Sequence, residues 1–105
     1  MPGGGQGVAE VRFSNAAEAD LADIDEFSAT HFGEDTGEAY MRGFDEAFAR
    51  LADFPSVGPS WPEPRSALRC LVHRSHRIFY RLTGEGVFIL RVLHHAQDAR
   101  RHLDA

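Results

Sequence analysis

The sequence has no lysine, a single cysteine and no long apolar run. Because Cys70 has no partner in the chain, an internal disulfide is excluded, and a buried free thiol in a reducing cytosol is expected. No run of about 18 apolar residues is present, so no membrane-spanning helix is expected. Residues 1–7 lack the apolar core of a signal peptide and are predicted to form a flexible glycine-rich tail. These absences predict a cytoplasmic protein without membrane contact.

Negative and positive charges are divided between two parts of the chain. The first 64 residues hold thirteen aspartates and glutamates against three arginines, a formal charge of −10. From residue 65 onward, eight arginines face three acidic residues, a formal charge of +5, and five of the six histidines lie there. This division indicates one basic face that is suited to an anionic partner.

The first part of the chain predicts a strand and a helix. Residues 8–13 alternate apolar and charged side chains, as a short strand does. Asn15, followed three residues later by Glu18, forms a capping-box pattern, so a helix is expected to begin near Ala16, and Gly33 is expected to stop it. Its apolar stripe holds Ala17, Leu21, Ile24, Phe27 and His31. Its solvated face is assigned Asp20, Asp23, Asp25 and Glu26.

A second amphipathic helix is predicted directly after the first. Asp35 or Thr36 can cap its beginning, and Pro55 ends it. Its apolar positions are Tyr40, Phe44, Ala47, Phe48 and Leu51. A connection of about four residues makes the two helices antiparallel, as a helical hairpin.

The last part of the chain predicts a sheet. Four prolines between residues 54 and 64 indicate an extended surface segment. Three strands are predicted over residues 67–73, 77–82 and 87–93. The third strand is the most apolar and is expected inside the sheet, and a frayed helical turn is expected within residues 96–105. The order of strand, two helices and three strands predicts a two-layer α+β fold of one domain.

Strand alternation sorts the candidate residues of the second predicted strand. Ile78, Tyr80 and Leu82 share one face, which is expected to point to the core. Arg77 and Arg81 share the other face and are expected to point to solvent, where they can bind a partner or remain solvated.

The same alternation rule puts Arg91 on one face of the third strand with Ile89 and Leu93. Trp61 lies among prolines, where it is either a lid over the edge of the core or an anchor for a partner.

Metal binding and nuclease chemistry are the two catalytic hypotheses that the histidines raise. Adjacent residues on a strand point to opposite faces, so His94 and His95 do not share an ion, and the spacing matches no zinc signature. No metal or cofactor is therefore expected. A metal-free ribonuclease needs a base, an acid and cations. The candidates for these roles are Glu63, His73, His76, Arg77, Tyr80, Arg81, Arg91 and His94.

Four segments in order resemble the ParE branch of the RelE/ParE toxin superfamily. They are residues 14–24 (SNAAEADLADI), 51–58 (LADFPSVG), 76–81 (HRIFYR) and 89–98 (ILRVLHHAQD). The resemblance implies a single toxin domain over residues 8–105, with a strand, a helical hairpin and a three-stranded antiparallel sheet (β-α-α-β-β-β). It also implies a toxin of a type II toxin–antitoxin system that inhibits DNA gyrase and growth. A ParD-type antitoxin would neutralise it by wrapping its helices and sheet.

The same resemblance leaves a nuclease alternative open. RelE and YoeB relatives cleave mRNA on the ribosome, and YoeB-like chains end in an Arg-Tyr-His-Tyr pattern. Here the matching place reads Arg-Val-Leu-His, in which two of the expected catalytic side chains are apolar. We therefore expect no catalytic residues, and the alternative set of nuclease residues is Glu63, Arg77, Arg81 and His94.

Arginine-rich positions on the predicted sheet are the candidates for contact with an acidic antitoxin segment or with the target, because arginine pairs with carboxylates through two hydrogen bonds. These candidates are Trp61, Arg65, Arg77, Arg81, Arg91 and His94. No sequence-specific nucleic-acid binding is expected of the toxin alone. A third possibility is a degenerate toxin that only binds its antitoxin.

Overall fold

The structure, a computed structural model, describes residues 9–62 and 67–103. Its elements are β1 (Glu10–Phe13), α1 (Asn15–Phe32), α2 (Glu34–Asp53), β2 (Arg69–His73), β3 (His76–Leu82), β4 (Gly86–His94) and α3 (Ala99–Leu103). The predicted α+β fold, with a helical hairpin between the first strand and the other three, is confirmed. The predicted tail, residues 1–7, lies outside the described residues. Within the described part of the chain, no helix is long and apolar enough to cross a membrane.

The four strands form one mixed sheet in the order β1-β4-β3-β2. β2, β3 and β4 are antiparallel neighbours, and β1 pairs in parallel with β4 as an edge strand. β4 therefore lies inside the sheet, as its apolar sequence predicts. In β1, Val11 and Phe13 pack against the main core, so the opposite face of this strand carries Glu10 and Arg12.

Ser14, and not Asn15, caps α1. The Ser14 hydroxyl accepts a hydrogen bond from the Ala17 N–H at 2.9 Å and donates one to the Leu90 carbonyl at 2.8 Å. Asn15 is exposed and is already the first residue of the helix. The capping prediction was wrong by one position because the Ser14 side chain bonds the helix and β4 together, which a local pattern does not reveal.

A single residue, Gly33, connects the two helices. Its φ of +87° is a backbone conformation that side-chain-bearing residues rarely adopt, so glycine is required at this turn. Its N–H donates to the Ala29 carbonyl at 3.1 Å, and its own carbonyl accepts from the Gly37 N–H at 2.9 Å. α2 thus begins at Glu34, and the predicted caps and four-residue connection were wrong because the glycine alone turns the chain.

The main core lies between the helical hairpin and one face of the sheet. Its buried residues are Ala17, Phe44, Leu51, Ile78, Tyr80, Val87, Ile89 and Val92. Tyr80 is buried as predicted, and its hydroxyl donates to the Pro55 carbonyl at 2.8 Å and accepts from the Gly58 N–H at 2.9 Å. These bonds hold the proline-rich segment against the sheet. Leu82 is 44% exposed, so its predicted core position was wrong; it is the last residue of β3, beside the hairpin loop.

A smaller cluster covers part of the second face of the sheet. Its buried residues are Cys70, Phe79, Leu93 and Ala99, with Trp61 and Leu103 packed against them. The Trp61 ring meets the Phe79 ring edge to face, with the centroids 4.9 Å apart. Trp61 therefore lies over the edge of this cluster, as the lid hypothesis expects. Burial raises the pKa of the Cys70 thiol, which keeps it protonated and apolar.

A β-bulge in β4 reverses the alternation of its side chains. Phe79 pairs with Arg91 and Tyr80 pairs with Ile89, so the intervening Leu90 has no partner on β3. Ile89 consequently belongs to the main core and Leu93 to the second cluster, on opposite faces of the sheet. The prediction that Arg91 shares a face with both was wrong, because the alternation rule assumes a regular strand.

Candidate functional site

An open apolar groove separates the connected ends of the two helices from the end of the sheet where β3 begins. Its volume is about 490 Å³. Its lining residues are Asp23, Ile24, Phe27, Ser28, Phe32, Tyr40, Ser75, His76 and His94. We call this feature the groove.

Two exposed phenylalanines form the outer wall of the groove. Phe27 and Phe32 are each 55% exposed, and their rings pack edge to face with centroids 6.3 Å apart. The Phe27 ring also stacks on His31 at 3.8 Å. Phe27 lies in the apolar stripe predicted for α1, but this end of the stripe borders the groove and does not enter the core. An exposed apolar wall of this kind is typical of a site that receives apolar side chains from a partner.

Tyr40 of α2 and His76 of β3 line the inner side of the groove, and a hydrogen bond joins them. The Tyr40 hydroxyl oxygen and the His76 Nδ1 atom lie 2.8 Å apart. Burial raises the pKa of Tyr40, so the phenol stays protonated and donates to the neutral imidazole. The guanidinium of Arg74 lies 5.9 Å from the centre of the Tyr40 ring. This pair joins the helical hairpin to the sheet at the groove.

Histidines surround His76 and keep it neutral. Burial, reinforced by the nearby His94, His73 and His95, lowers the pKa of His76 from 6.5 to about 4. Burial and then Arg74 also lower the pKa of His73. The rings of His76 and His94 meet edge to face at 5.3 Å. Because burial disfavours the charged imidazolium of His76, protonation of this residue opposes folding.

Arg91 forms a two-bond ion pair with Asp20. The Arg91 Nε atom donates to Asp20 Oδ2 and the Nη2 atom donates to Oδ1, each at 2.8 Å. Asp20 Oδ2 also accepts the backbone N–H of Val92 at 2.9 Å. The Asp20 side chain is only 14% exposed, so its assignment to the solvated face was wrong. The carboxylate faces the edge of β4 that β1 leaves unpaired, where backbone N–H groups need acceptors.

Arg77 is likewise bonded within the chain. Its Nη2 atom donates to the Gln97 carbonyl at 2.9 Å and to the His95 carbonyl at 3.3 Å. Its guanidinium lies 5.5 Å from the ring centres of both Trp61 and Phe79. Arg77 therefore holds the turn after β4 against the second cluster and is half-buried, not directed freely to solvent as predicted.

The remaining predicted site residues lie apart. His94 borders the groove on the helical side of the sheet, since it pairs with His76. Arg81 is exposed on the opposite face, with its guanidinium 5.3 Å from the Phe88 ring centre. Glu63 and Arg65 lie outside the described residues. The structure therefore brings Arg77 and Trp61 together, but it separates Arg77 and Arg81 from His94 by the thickness of the sheet.

The sequence did not identify four residues as part of the site, namely Asp20, Phe27, Phe32 and Tyr40. The three aromatic residues lie in amphipathic helices, and helical spacing does not distinguish a core position from a groove position. Asp20 and Arg91 are 71 residues apart in the chain, so no local signal links them. In residues 9–62 and 67–103, no group of three or more histidine, cysteine, aspartate or glutamate side chains is arranged to hold a metal ion.

Comparison with known families gives one consistent result. Residues 11–99 match the family model described as the ParE toxin of type II toxin–antitoxin system, parDE. Toxin ParE1 of Mycobacterium tuberculosis is 40% identical over 91 residues, which are 86% of this chain and 93% of that protein. Toxin ParE1 of Caulobacter vibrioides is 36% identical over 92 residues, which are 88% of this chain and 95% of that protein.

Solved structures share the fold. The chromosomal ParDE toxin–antitoxin system from P. aeruginosa contains a chain with a TM-score of 0.70 at 20% identity, covering 83% of this chain and 96% of that one. The RelBE2 toxin–antitoxin complex from Mycobacterium tuberculosis contains one with a TM-score of 0.61 at 25% identity, covering 83% of this chain and 98% of that one.

Acid should destabilise the fold through His76. Because the folded pKa is about 4 and the unfolded value is 6.5, the unfolded chain takes up the proton first as the pH falls. The free energy of unfolding should therefore drop by about 3 kcal/mol from this group between pH 7 and pH 4. Urea unfolding at several pH values measures the slope, and His76→Gln should flatten it. The exposed His31→Gln variant is the control, and an unchanged slope in H76Q would contradict the assignment.

Removal of the Asp20 charge should weaken the fold. Asp20→Asn leaves Arg91 partly buried without a carboxylate, so we expect a loss of about 2–4 kcal/mol in the free energy of unfolding. Asp25→Asn, at an exposed position on the same helix, should change it by less than about 0.5 kcal/mol. Chemical denaturation of the two variants makes the comparison. Equal stabilities would show that the ion pair contributes little.

Proposed function

The chain belongs to the ParE toxin family of type II toxin–antitoxin systems, and we propose that it inhibits DNA gyrase until a ParD-type antitoxin binds and neutralises it. The observation that carries this proposal is the family match across residues 11–99, supported by 40% identity to a ParE1 toxin over 86% of the chain. ParE-type toxins act on gyrase, which works on the bacterial chromosome, so the proposal requires a cytoplasmic toxin.

The groove is the surface that we assign to the antitoxin. Phe27, Phe32 and Ile24 form an apolar wall on α1, and Tyr40 and His94 border the other side. An amphipathic segment can bury two or three large apolar side chains in such a groove. Both structural relatives described above come from toxin–antitoxin systems, which supports an antitoxin as the partner.

Of the predicted contact residues, His94 is the one that this assignment uses directly. Arg77 and Arg91 act through the fold, since each bonds partners within the chain. Their roles are to hold the turn after β4 and the edge of β4. Trp61 and Arg81 lie on the other face of the sheet and do not border the groove.

The ribosome-dependent nuclease alternative receives less support from the geometry. Its cations Arg77 and Arg81 lie on one face of the sheet, and His94 lies on the other. Acid–base catalysis requires the proton-transferring group and the cations to surround one phosphate. The described members of the set do not surround a common point.

Charge placed in the groove should weaken antitoxin binding. Burial of a phenylalanine side chain stabilises a complex by about 2 kcal/mol, so Phe27→Asp or Phe32→Asp should weaken the antitoxin affinity by at least about tenfold. Titration calorimetry with the antitoxin encoded beside the toxin measures this change. Phe54→Asp is the matched control, because Phe54 is 64% exposed and lies at the far end of α2. Unchanged binding by F27D and F32D would exclude the groove.

Purified toxin should inhibit gyrase directly. We expect loss of supercoiling and a trapped cleavage complex when micromolar toxin is added to gyrase and plasmid, with both effects reversed by an equimolar amount of antitoxin. A toxin that leaves gyrase unaffected at that concentration would refute the target. Primer extension on translated messages after induction then tests the nuclease alternative, which requires cuts at codon positions.

A further inference from the structure

The residues that the structure describes cover only part of the second face of the sheet. Among the described elements, α3 is the helix that packs on this face, through β4, and Trp61 lies over Phe79. Nearer the other end of the strands, Arg12 and Arg81 are exposed and Phe88 is half-buried. This open part of the face is where a partner can reach the sheet.

Strand register lines up these three residues across the sheet. Arg12 pairs with Phe88 in the parallel ladder of β1 and β4, and Arg81 pairs with Phe88 in the antiparallel ladder of β3 and β4. Paired residues project from the same face, so an aromatic ring is flanked by an arginine on each side. The flanking residues Val87 and Ile89 are buried in the main core, which directs Phe88 to the opposite face. We call Arg12, Phe88 and Arg81 the arginine row.

The arginine row has the chemistry of a carboxylate-binding surface. Neighbouring strands lie about 4.8 Å apart, so the two arginine backbones are about 10 Å apart across β4. Neither arginine has a carboxylate partner in the described part of the chain. Each guanidinium can donate two parallel hydrogen bonds to a carboxylate, and Phe88 provides an apolar contact between them.

An acidic protein segment suits this row better than a nucleic acid does. Glu10 lies two residues before Arg12, so it projects from the same face and is exposed. A continuous polyanion would meet this carboxylate, and the chain as a whole carries a net charge of −5. The Phe88 ring already carries the Arg81 guanidinium over it, so it is not a free stacking platform for a base. Separate carboxylates on a protein can bind the two arginines without lying against Glu10, and they need no free face of the Phe88 ring.

The arginine row is far from the groove. His76 begins β3 at the groove, and Arg81 lies five residues further along the strand, a distance of about 16 Å. The two surfaces also lie on opposite faces of the sheet. An antitoxin segment seated in the groove therefore leaves the row accessible, and the two surfaces can serve different partners.

We propose that the arginine row Arg12–Phe88–Arg81 binds the toxin's target protein, through a surface segment that carries two carboxylates around an apolar residue. This inference rests on the proposed function, in which the antitoxin occupies the groove. The row then contributes to toxicity without contributing to the antitoxin complex.

The test compares toxicity with antitoxin affinity in the same variants. Arg12→Glu and Arg81→Glu reverse the charge at exposed positions, and Arg42→Glu makes the same change at an exposed position on α2. Growth after induction, inhibition of purified gyrase and titration calorimetry with the antitoxin are measured for each. We expect R12E and R81E to raise the toxin concentration that half-inhibits gyrase by more than about tenfold. Their affinity for the antitoxin should stay within about twofold of wild type. R42E should match wild type in all three measurements.

Each other outcome has a separate meaning. If R12E and R81E remain fully toxic, the row does not bind the target. If both variants lose antitoxin affinity while their circular dichroism and melting are unchanged, the row belongs to the antitoxin interface, which overturns the proposal. Binding of a fluorescent single-stranded oligonucleotide that R81E abolishes would overturn it in favour of nucleic acid. A wild-type chain that inhibits neither gyrase nor growth refutes the proposed function itself, and with it the need for a target surface.

Discussion

The unpaired edge of β4 is the constraint on which the rest of this structure depends. β1 ends opposite Ile89, so the last half of β4 needs partners for its backbone groups. Ser14 bonds that edge where α1 begins, and Asp20, about 1.7 turns further along the helix, accepts the Val92 N–H. The same carboxylate holds Arg91, which the bulge places beside the edge. The helical hairpin is thereby held over the sheet, and the groove is the space left at its connected end.

Charge is segregated by layer as a result of this arrangement. The two long helices carry most of the carboxylates, whereas the sheet and α3 carry most of the arginines. Part of this positive charge is used inside the molecule, since Arg91 and Arg77 stabilise the strand edge and the turn after β4. The exposed remainder, which includes Arg12 and Arg81, creates a basic field on the face opposite the acidic hairpin. The molecule therefore presents an apolar groove on one side and a basic surface on the other.

Much of the fold is predictable because it is specified locally. The helical stripes, the proline that follows α2 and the apolar run of β4 each depend on residues within a few positions of one another. Errors arose where the deciding partner was distant in sequence. Ser14 became the cap because its hydroxyl also bonds Leu90, and Asp20 became buried because Arg91 reaches it. Phe27 fits the same helical stripe whether it faces a core or a groove, so its exposure could not be read from spacing.

The sequence by itself determined the order and type of the elements, the family and the separation of acidic from basic segments, because these follow from short-range patterns and from motifs in fixed order. Only the tertiary structure decided which arginines are available to a partner. Arg77, Arg81 and Arg91 are equivalent in a strand pattern. The bulge at Leu90 and the register of β4 direct Arg91 towards Asp20, Arg77 towards the turn after β4 and Arg81 towards solvent. A one-residue change in strand pairing exchanges the two faces, and that pairing is a long-range property of the chain.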